Sequence, residues 1–174
     1  MARLVFDTFP KSGTAWLAGT LKSAYPESEI IWGGHRAATL KKEEQVITAI
    51  RNPKDCIPSY MIFFQHNEPG RLLDWYCRFM QGTIDSKDRI FISSFEELTT
   101  DPQTVMIKYS KRFLLQEPTP VTVTKIKEQV IKTHLGHLPA PLTLERKRAN
   151  EIVLSNPDLS EALTMYEKVL TISK

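Results

Sequence analysis

Apolar positions along the 174-residue chain fall into two kinds of run, and their alternation sets the architecture. Short runs that are apolar on consecutive positions occur at Leu4-Val5-Phe6, Ile30-Ile31-Trp32 and Val46-Ile47-Thr48-Ala49-Ile50, with a fourth strand over Arg89 to Ser93. Strands apolar on both faces belong in a covered parallel sheet rather than a half-solvated hairpin. Elsewhere apolar residues return every three or four positions, the spacing of one helix face. The first such segment carries Trp16, Leu17, Thr20, Leu21 and Ala24 and ends near Tyr25-Pro26; others span Leu72 to Met80 and Pro102 to Leu114. Asp55 is expected to cap the helix after the third strand, with Pro58 tolerated in its first turn.

After Glu117-Pro118-Thr119-Pro120 the strands stop. Helices are predicted near 122–133, 143–155 and 158–171, the last with Leu159, Ala162, Leu163, Tyr166, Val169 and Leu170 at helical spacing. Asp158 and Glu161 stand at capping-box spacing before it. The pattern predicts an α/β fold in one three-layer domain over 1–174, with a short central parallel sheet. Residues 1–116 form its α/β core and 117–174 a helical C-terminal part of the same domain.

Composition narrows the classes. Hydrophobic content of 41% and charged content of 25% exclude a disordered chain. A net charge of +3 with no block of five basic residues allows an anionic ligand and gives no sign of nucleic-acid binding. Cys56 and Cys77 follow no metal or redox spacing and are read as reduced, semi-buried side chains. No metal site is expected, since His134 and His137 lack carboxylate or cysteine company. No apolar run approaches the roughly 20 residues of a membrane span. Asp7, Pro10 and Lys11 interrupt any signal-peptide core, so a cytoplasmic location is expected.

The candidate chemistry begins at Phe9-Pro10-Lys11-Ser12-Gly13-Thr14-Ala15-Trp16, between the first strand and the first helix. A helix N-terminus offers unpaired N–H groups and the positive end of the helix dipole. Gly13 permits close backbone approach, Ser12 and Thr14 add hydroxyls, and Lys11 adds a charge. The loop is built for an anion such as phosphate or sulfate. It is not the GxxxxGK(S/T) nucleotide loop, because Thr8 stands where the first glycine belongs and Thr14, not lysine, follows Gly13. The missing lysine after Gly13 argues against an ATP-dependent kinase.

FPKSGTAW resembles the phosphosulfate-binding loop of the sulfotransferase family, usually PKSGTTW. AIRNPKDCIPSY, over Ala49–Tyr60, resembles that family's 3′-phosphate motif, with Arg51 and Ser59 eight residues apart. IFISSFEELTTDP, over Ile90–Pro102, is similar to its downstream strand and acidic turn. The resemblance implies a P-loop-like fold and transfer of a sulfuryl group from 3′-phosphoadenosine 5′-phosphosulfate to an acceptor hydroxyl or amine, leaving adenosine 3′,5′-bisphosphate.

It also implies roles. Lys11 would stabilise the departing phosphate oxygen, and Ser12, Gly13, Thr14 and Ala15 would hold the 5′-phosphate, Ala15 replacing a threonine of many relatives. Trp16 would pack on the adenine, and Arg51 with Ser59 would grip the 3′-phosphate. His35, placed by order after the second strand, would be the general base, although its GGHRAA context lacks the lysine usual in the family. Lys132-Thr133-His134-Leu135 imitates the usual base motif at a different place in the order. Phe95 stands where many relatives have tyrosine. The run Arg146-Lys147-Arg148 lacks the family's basic-loop pattern and reads as a solvated helix face.

Two other classes stand beside this reading: a nucleotide kinase using ATP, and a nucleotide-binding module without turnover. The acceptor is not legible. A chain short for this family implies an open acceptor site for a glycan, lipid head group or peptide, or one completed by a second subunit in a homodimer.

Overall fold

A computed structural model describes residues 2–132 and 143–173 of the chain, with the side chains of 131 and 132 left aside. The elements run β1 (Arg3–Thr8), α1 (Thr14–Ala24), β2 (Glu29–Trp32), α2 (Ala37–Lys42), β3 (Val46–Ile50), α3 (Pro53–Phe64) and α4 (Pro69–Asp85). They continue with β4 (Ile90–Ser94), α5 (Phe95–Thr100), α6 (Pro102–Phe113), α7 (Val123–Lys132), α8 (Leu144–Leu154) and α9 (Leu159–Ile172). All pairings are parallel and the strand order is β2-β1-β3-β4.

The consecutive apolar runs divide between two cores, as alternating side chains require. Val5, Val46, Ile50, Ile90 and Ile92 face one side, where α3, α4 and α9 join them with Leu40 of α2 and Val153 of α8. Leu4, Phe6, Ile47 and Ala49 face the other, covered by α1, α5 and α6 with Val121. The C-terminal helices contribute to both layers: α8 packs on α3, α9 on α4 and α7 on α1. The expected three-layer α/β architecture is therefore the observed one.

Local starts differ from the sequence expectation at two helices, for one shared reason. Asn52, not Asp55, caps α3, its Oδ1 accepting from Lys54 N at 3.0 Å. A residue before proline is pushed out of the helical region, so Pro53 occupies the first helical position and Asn52 becomes the cap. Asp55 instead places its charge in the first turn. Pro58 falls in the second turn, beyond the positions whose N–H is unpaired in any helix. Asp158 forms no side-chain cap either; Asn156 Oδ1 accepts from Asp158 N at 3.0 Å across another Asn-Pro pair.

Two short helices were not expected. Of these, α5 has a full capping box, with Ser94 and Glu97 each bonding the other's backbone, and the Ser-x-x-Glu spacing could have revealed it. Both cysteines are free: Cys56 is buried, with its thiol pushed up to about 12 by desolvation, and Cys77 is half-buried.

Candidate functional site

The loop after β1 is fixed at its start and open at its end. Phe9 is fully buried, with edge-on ring contacts to Trp75 at 5.1 Å and Tyr76 at 5.0 Å on α4. A tight turn follows, in which Ser12 N donates to Phe9 O at 3.1 Å. Lys11 and Gly13 both hold positive φ, 63° and 95°. Such alternation turns successive N–H groups toward one point and makes a nest for anions. Gly13 has no freedom to change, because a Cβ there would stand 2.8 Å from Phe95 Cδ2.

The α1 N-terminus has no side-chain cap, and its first backbone bond is Leu17 N to Gly13 O at 2.8 Å. The N–H groups of Thr14, Ala15 and Trp16 therefore remain for a ligand, with the positive dipole end behind them. The Ser12 hydroxyl is buried beside the Cys56 thiol and makes no sound hydrogen bond of its own. Thr14 Oγ1 lies 2.6 Å from Thr8 Oγ1 and closes the loop. Trp16 is half-buried and donates through Nε1 to Leu98 O at 3.0 Å, which fixes its ring against α5.

The end of β3 meets this loop because β1 and β3 are neighbours whose connections leave on opposite layers, where open α/β sheets bind ligands. Arg51 Nη1 donates to Lys11 O at 3.1 Å, and its guanidinium carbon lies 4.3 Å from the Phe95 ring centroid. The Arg51 carbonyl accepts from Tyr76 Oη at 2.9 Å, so its backbone is held as well. Phe95, where a hydroxyl was expected to be missing, is thus a platform for both Gly13 and Arg51.

Ser59 lies one turn before Phe63 on α3 and accepts from Arg146 Nη1 at 2.6 Å. Arg146 Nη2 donates to Asp55 O at 3.0 Å. The basic run of α8 is therefore not a wholly solvated face: Lys147 and Arg148 are exposed, but Arg146 is half-buried on α3. No local pattern announces this, because the contact joins residues 87 apart. The Lys11 ammonium sits 3.5 Å from the Phe63 ring centroid, within cation–π range. Burial, and next the Arg51 charge, lowers the protonation tendency of both Lys11 and Arg146. Lys11, Arg51 and Arg146 form no ion pair among the described residues.

His35 closes the other side of the loop. It holds φ 64°, and its ring Nδ1 lies 2.5 Å from Thr8 O. A carbonyl can only accept, so Nδ1 carries the proton and Nε2 keeps its lone pair. The ring rests edge-on against Trp32 at 4.9 Å, and Trp32 is 53% exposed. Burial is the main influence on His35 and lowers its pKa; the Thr8 bond and Asp7 oppose it.

A carboxylate to which the sequence motifs assign no role lies beneath. Asp7 is fully buried and accepts from Thr8 N at 2.9 Å, His35 N at 2.8 Å and Arg36 N at 2.9 Å. Its one signal in the sequence is a carboxylate directly after the apolar run Leu4-Val5-Phe6 of a strand.

The structure thus gathers Lys11, Ser12, Gly13, Thr14, Ala15 and Trp16 with Arg51 at one sheet end, with Ser59 tied to Arg146 and His35 to Thr8. His134 and His137 lie outside the described residues. Among the described residues no three His, Cys, Asp or Glu side chains converge as metal ligands, and no helix is long and apolar enough to cross a membrane. A groove of about 870 Å³ along the outer side of β4, between Arg112 and Ile172, contains none of the candidate residues.

No family model and no curated protein sequence matches the chain. Among solved structures, mouse sulfotransferase SULT7A1 complexed with PAP is similar, at 13% sequence identity and a TM-score of 0.50. The similarity covers 96% of this chain and 88% of that one. The chain has a sulfotransferase-like fold.

Proposed function

We propose that the protein is a sulfotransferase that moves a sulfuryl group from 3′-phosphoadenosine 5′-phosphosulfate to an acceptor hydroxyl or amine. The observation that carries this reading is the gathering of Lys11, Arg51 and Arg146, without ion-pair partners among the described residues, around a helix N-terminus with free N–H groups. Like charges assembled and partly desolvated at one place destabilise a protein unless an anion neutralises them. Cations held on separate elements, Arg51 on the Lys11 turn and Arg146 on Ser59 of α3, suit a nucleotide phosphorylated at both ends. The mouse sulfotransferase of similar fold was crystallised with PAP, which agrees with such a ligand.

The residues fit that group. The N–H groups of Gly13, Thr14 and Ala15, with the Ser12 and Thr14 hydroxyls, would hold the 5′-phosphate, and Trp16 would flank the adenine. Arg51, Ser59 and Arg146 would take the 3′-phosphate, which a planar guanidinium matches in both charge and geometry. When bound, the donor supplies a sulfuryl group on a phosphate leaving group. Lys11 and the α1 N-terminus hold the negative charge that gathers on the departing oxygen, in a site organised before the reaction.

His35 removes the acceptor proton. Its Nε2, which keeps its lone pair, would accept that proton from the acceptor hydroxyl or amine during the transfer. Burial favours the neutral form of its half-buried ring, and Trp32 gives the acceptor side an exposed aromatic wall.

Calorimetry with adenosine 3′,5′-bisphosphate, ATP and AMP tests the reading, with Arg51→Ala as control. The bisphosphate binds most tightly and loses that advantage in the variant. Preference for ATP, or indifference to Arg51, overturns the assignment.

A further inference from the structure

We propose that Asp7 is a positioning residue for the His35 base, its buried carboxylate building the turn that aims the imidazole. The proposal rests on the reading of His35 given above. A single carboxylate gathers three N–H groups, two of them from consecutive residues of the loop after β2: His35 N at 2.8 Å and Arg36 N at 2.9 Å. The third, Thr8 N at 2.9 Å, belongs to the residue whose carbonyl meets the His35 ring. Asp7 therefore holds both the backbone of His35 and the acceptor that fixes its tautomer.

The turn needs that hold. His35 is a non-glycine residue at φ 64° and Gly34 precedes it at φ 80°, two successive left-handed residues that cost energy unless fixed from outside. Gly33 completes the arrangement, because a Cβ there would lie 2.5 Å from Asp7 Oδ2 and 2.5 Å from Thr39 Cγ2. Glycine at 33 makes room for the carboxylate, and Gly33 O is held in turn by Thr39 Oγ1 at 3.1 Å. A buried carboxylate is costly, and of the three charge-assisted bonds that offset the cost, this turn supplies two.

Asp7 also acts on the ring through its charge. The Asp7 carboxylate favours the imidazolium form of His35, and that imidazolium in turn favours the Asp7 carboxylate. Arg36 is engaged through its backbone, and the side chains closing the turn, Thr39 from α2 and Thr14 beside Thr8, carry no charge. Burial is the larger influence on both groups, raising Asp7 and lowering His35, while their mutual attraction opposes it.

The test compares wild type with Asp7→Asn, which keeps the size of the side chain and removes the charge. Affinity for adenosine 3′,5′-bisphosphate stays within about twofold, whereas kcat falls at least roughly tenfold. The acid limb of kcat/KM moves to lower pH, because removing the anion that favours imidazolium lowers the His35 pKa. A ring-carbon NMR titration, with His35→Gln assigning the signal, reads the same shift without any turnover.

An unchanged titration and unchanged kcat overturn the proposal. A parallel loss of bisphosphate binding overturns it too, by making Asp7 a support of the whole loop. If wild type binds the bisphosphate but His35→Gln retains full turnover, the base assignment fails independently, and the titration still judges the Asp7–His35 link. Should Asp7→Asn not fold, wild-type NMR decides: the amide protons of His35 and Arg36 must move with the midpoint of the Asp7 carboxyl carbon. Amides that ignore that midpoint sink the idea.

Discussion

Arg51 donates through Nη1 to the carbonyl of Lys11 at 3.1 Å, joining the end of β3 to the turn after β1. One guanidinium thereby braces the loop and borders the site from the proposed 3′-phosphate side. The bond fixes the Lys11 backbone while the ammonium remains at the end of a flexible stem over Phe63.

Arg51→Lys keeps the charge and removes the braced, planar fork. Binding of adenosine 3′,5′-bisphosphate should weaken by about ten- to a hundredfold, the order of one charge-assisted hydrogen bond at about 1.5–3 kcal/mol. Titration calorimetry checks this, and an affinity unchanged within about twofold would show that Arg51 does not touch the ligand.

Ser59 and Arg146 act as one unit across α3 and α8. A double-mutant cycle in the same binding assay should show strong non-additivity: Ser59→Ala costs little once Arg146→Ala is present. Losses that simply add would separate the two residues.

Gly13→Ala meets two obstacles, φ 95° and a Cβ 2.8 Å from Phe95. The variant should lose about 1–3 kcal/mol of stability, together with ligand binding. Adding Phe95→Ala relieves the contact but not the dihedral, so thermal unfolding should recover only in part. Full recovery would mean that the left-handed backbone carries no cost.

His35 predicts an acid-side effect on folding as well. Its folded pKa lies below the ordinary 6.5, because burial disfavours the imidazolium. The contribution is therefore present above that value and is lost as pH falls below it, where the unfolded chain takes up the proton first. Thermal melts should show a steeper acidic decline for wild type than for His35→Gln. Parallel declines would place the ring in solvent.

Replacing Lys11 separates chemistry from binding. Lys11→Met should lower kcat by about two orders of magnitude or more while changing bisphosphate affinity far less, since its role lies in charge that develops during transfer. Equal losses in both would make it a ligand anchor only.

Features that depend on near neighbours were legible in the order of residues. Consecutive apolar residues such as Val46–Ile50 demanded a strand buried on both faces, and Gly13 after Lys11-Ser12 marked a turn into a helix with anion-binding N–H groups. The order of motifs also pointed to the fold that the mouse structure shares. Even the unexpected α5 has its Ser94–Glu97 box in plain spacing.

Tertiary structure alone decided what depends on distant groups meeting. Arg146 reaches Ser59 because α8 packs on α3, and a basic run on a helix has no local feature that says which residue turns inward. Asp7 finds three N–H donors because β2 lies beside β1, bringing the turn at Gly33 to His35 over the strand end. Periodicity reports which face of an element is buried; which polar group answers a buried charge depends on the elements that the fold brings together.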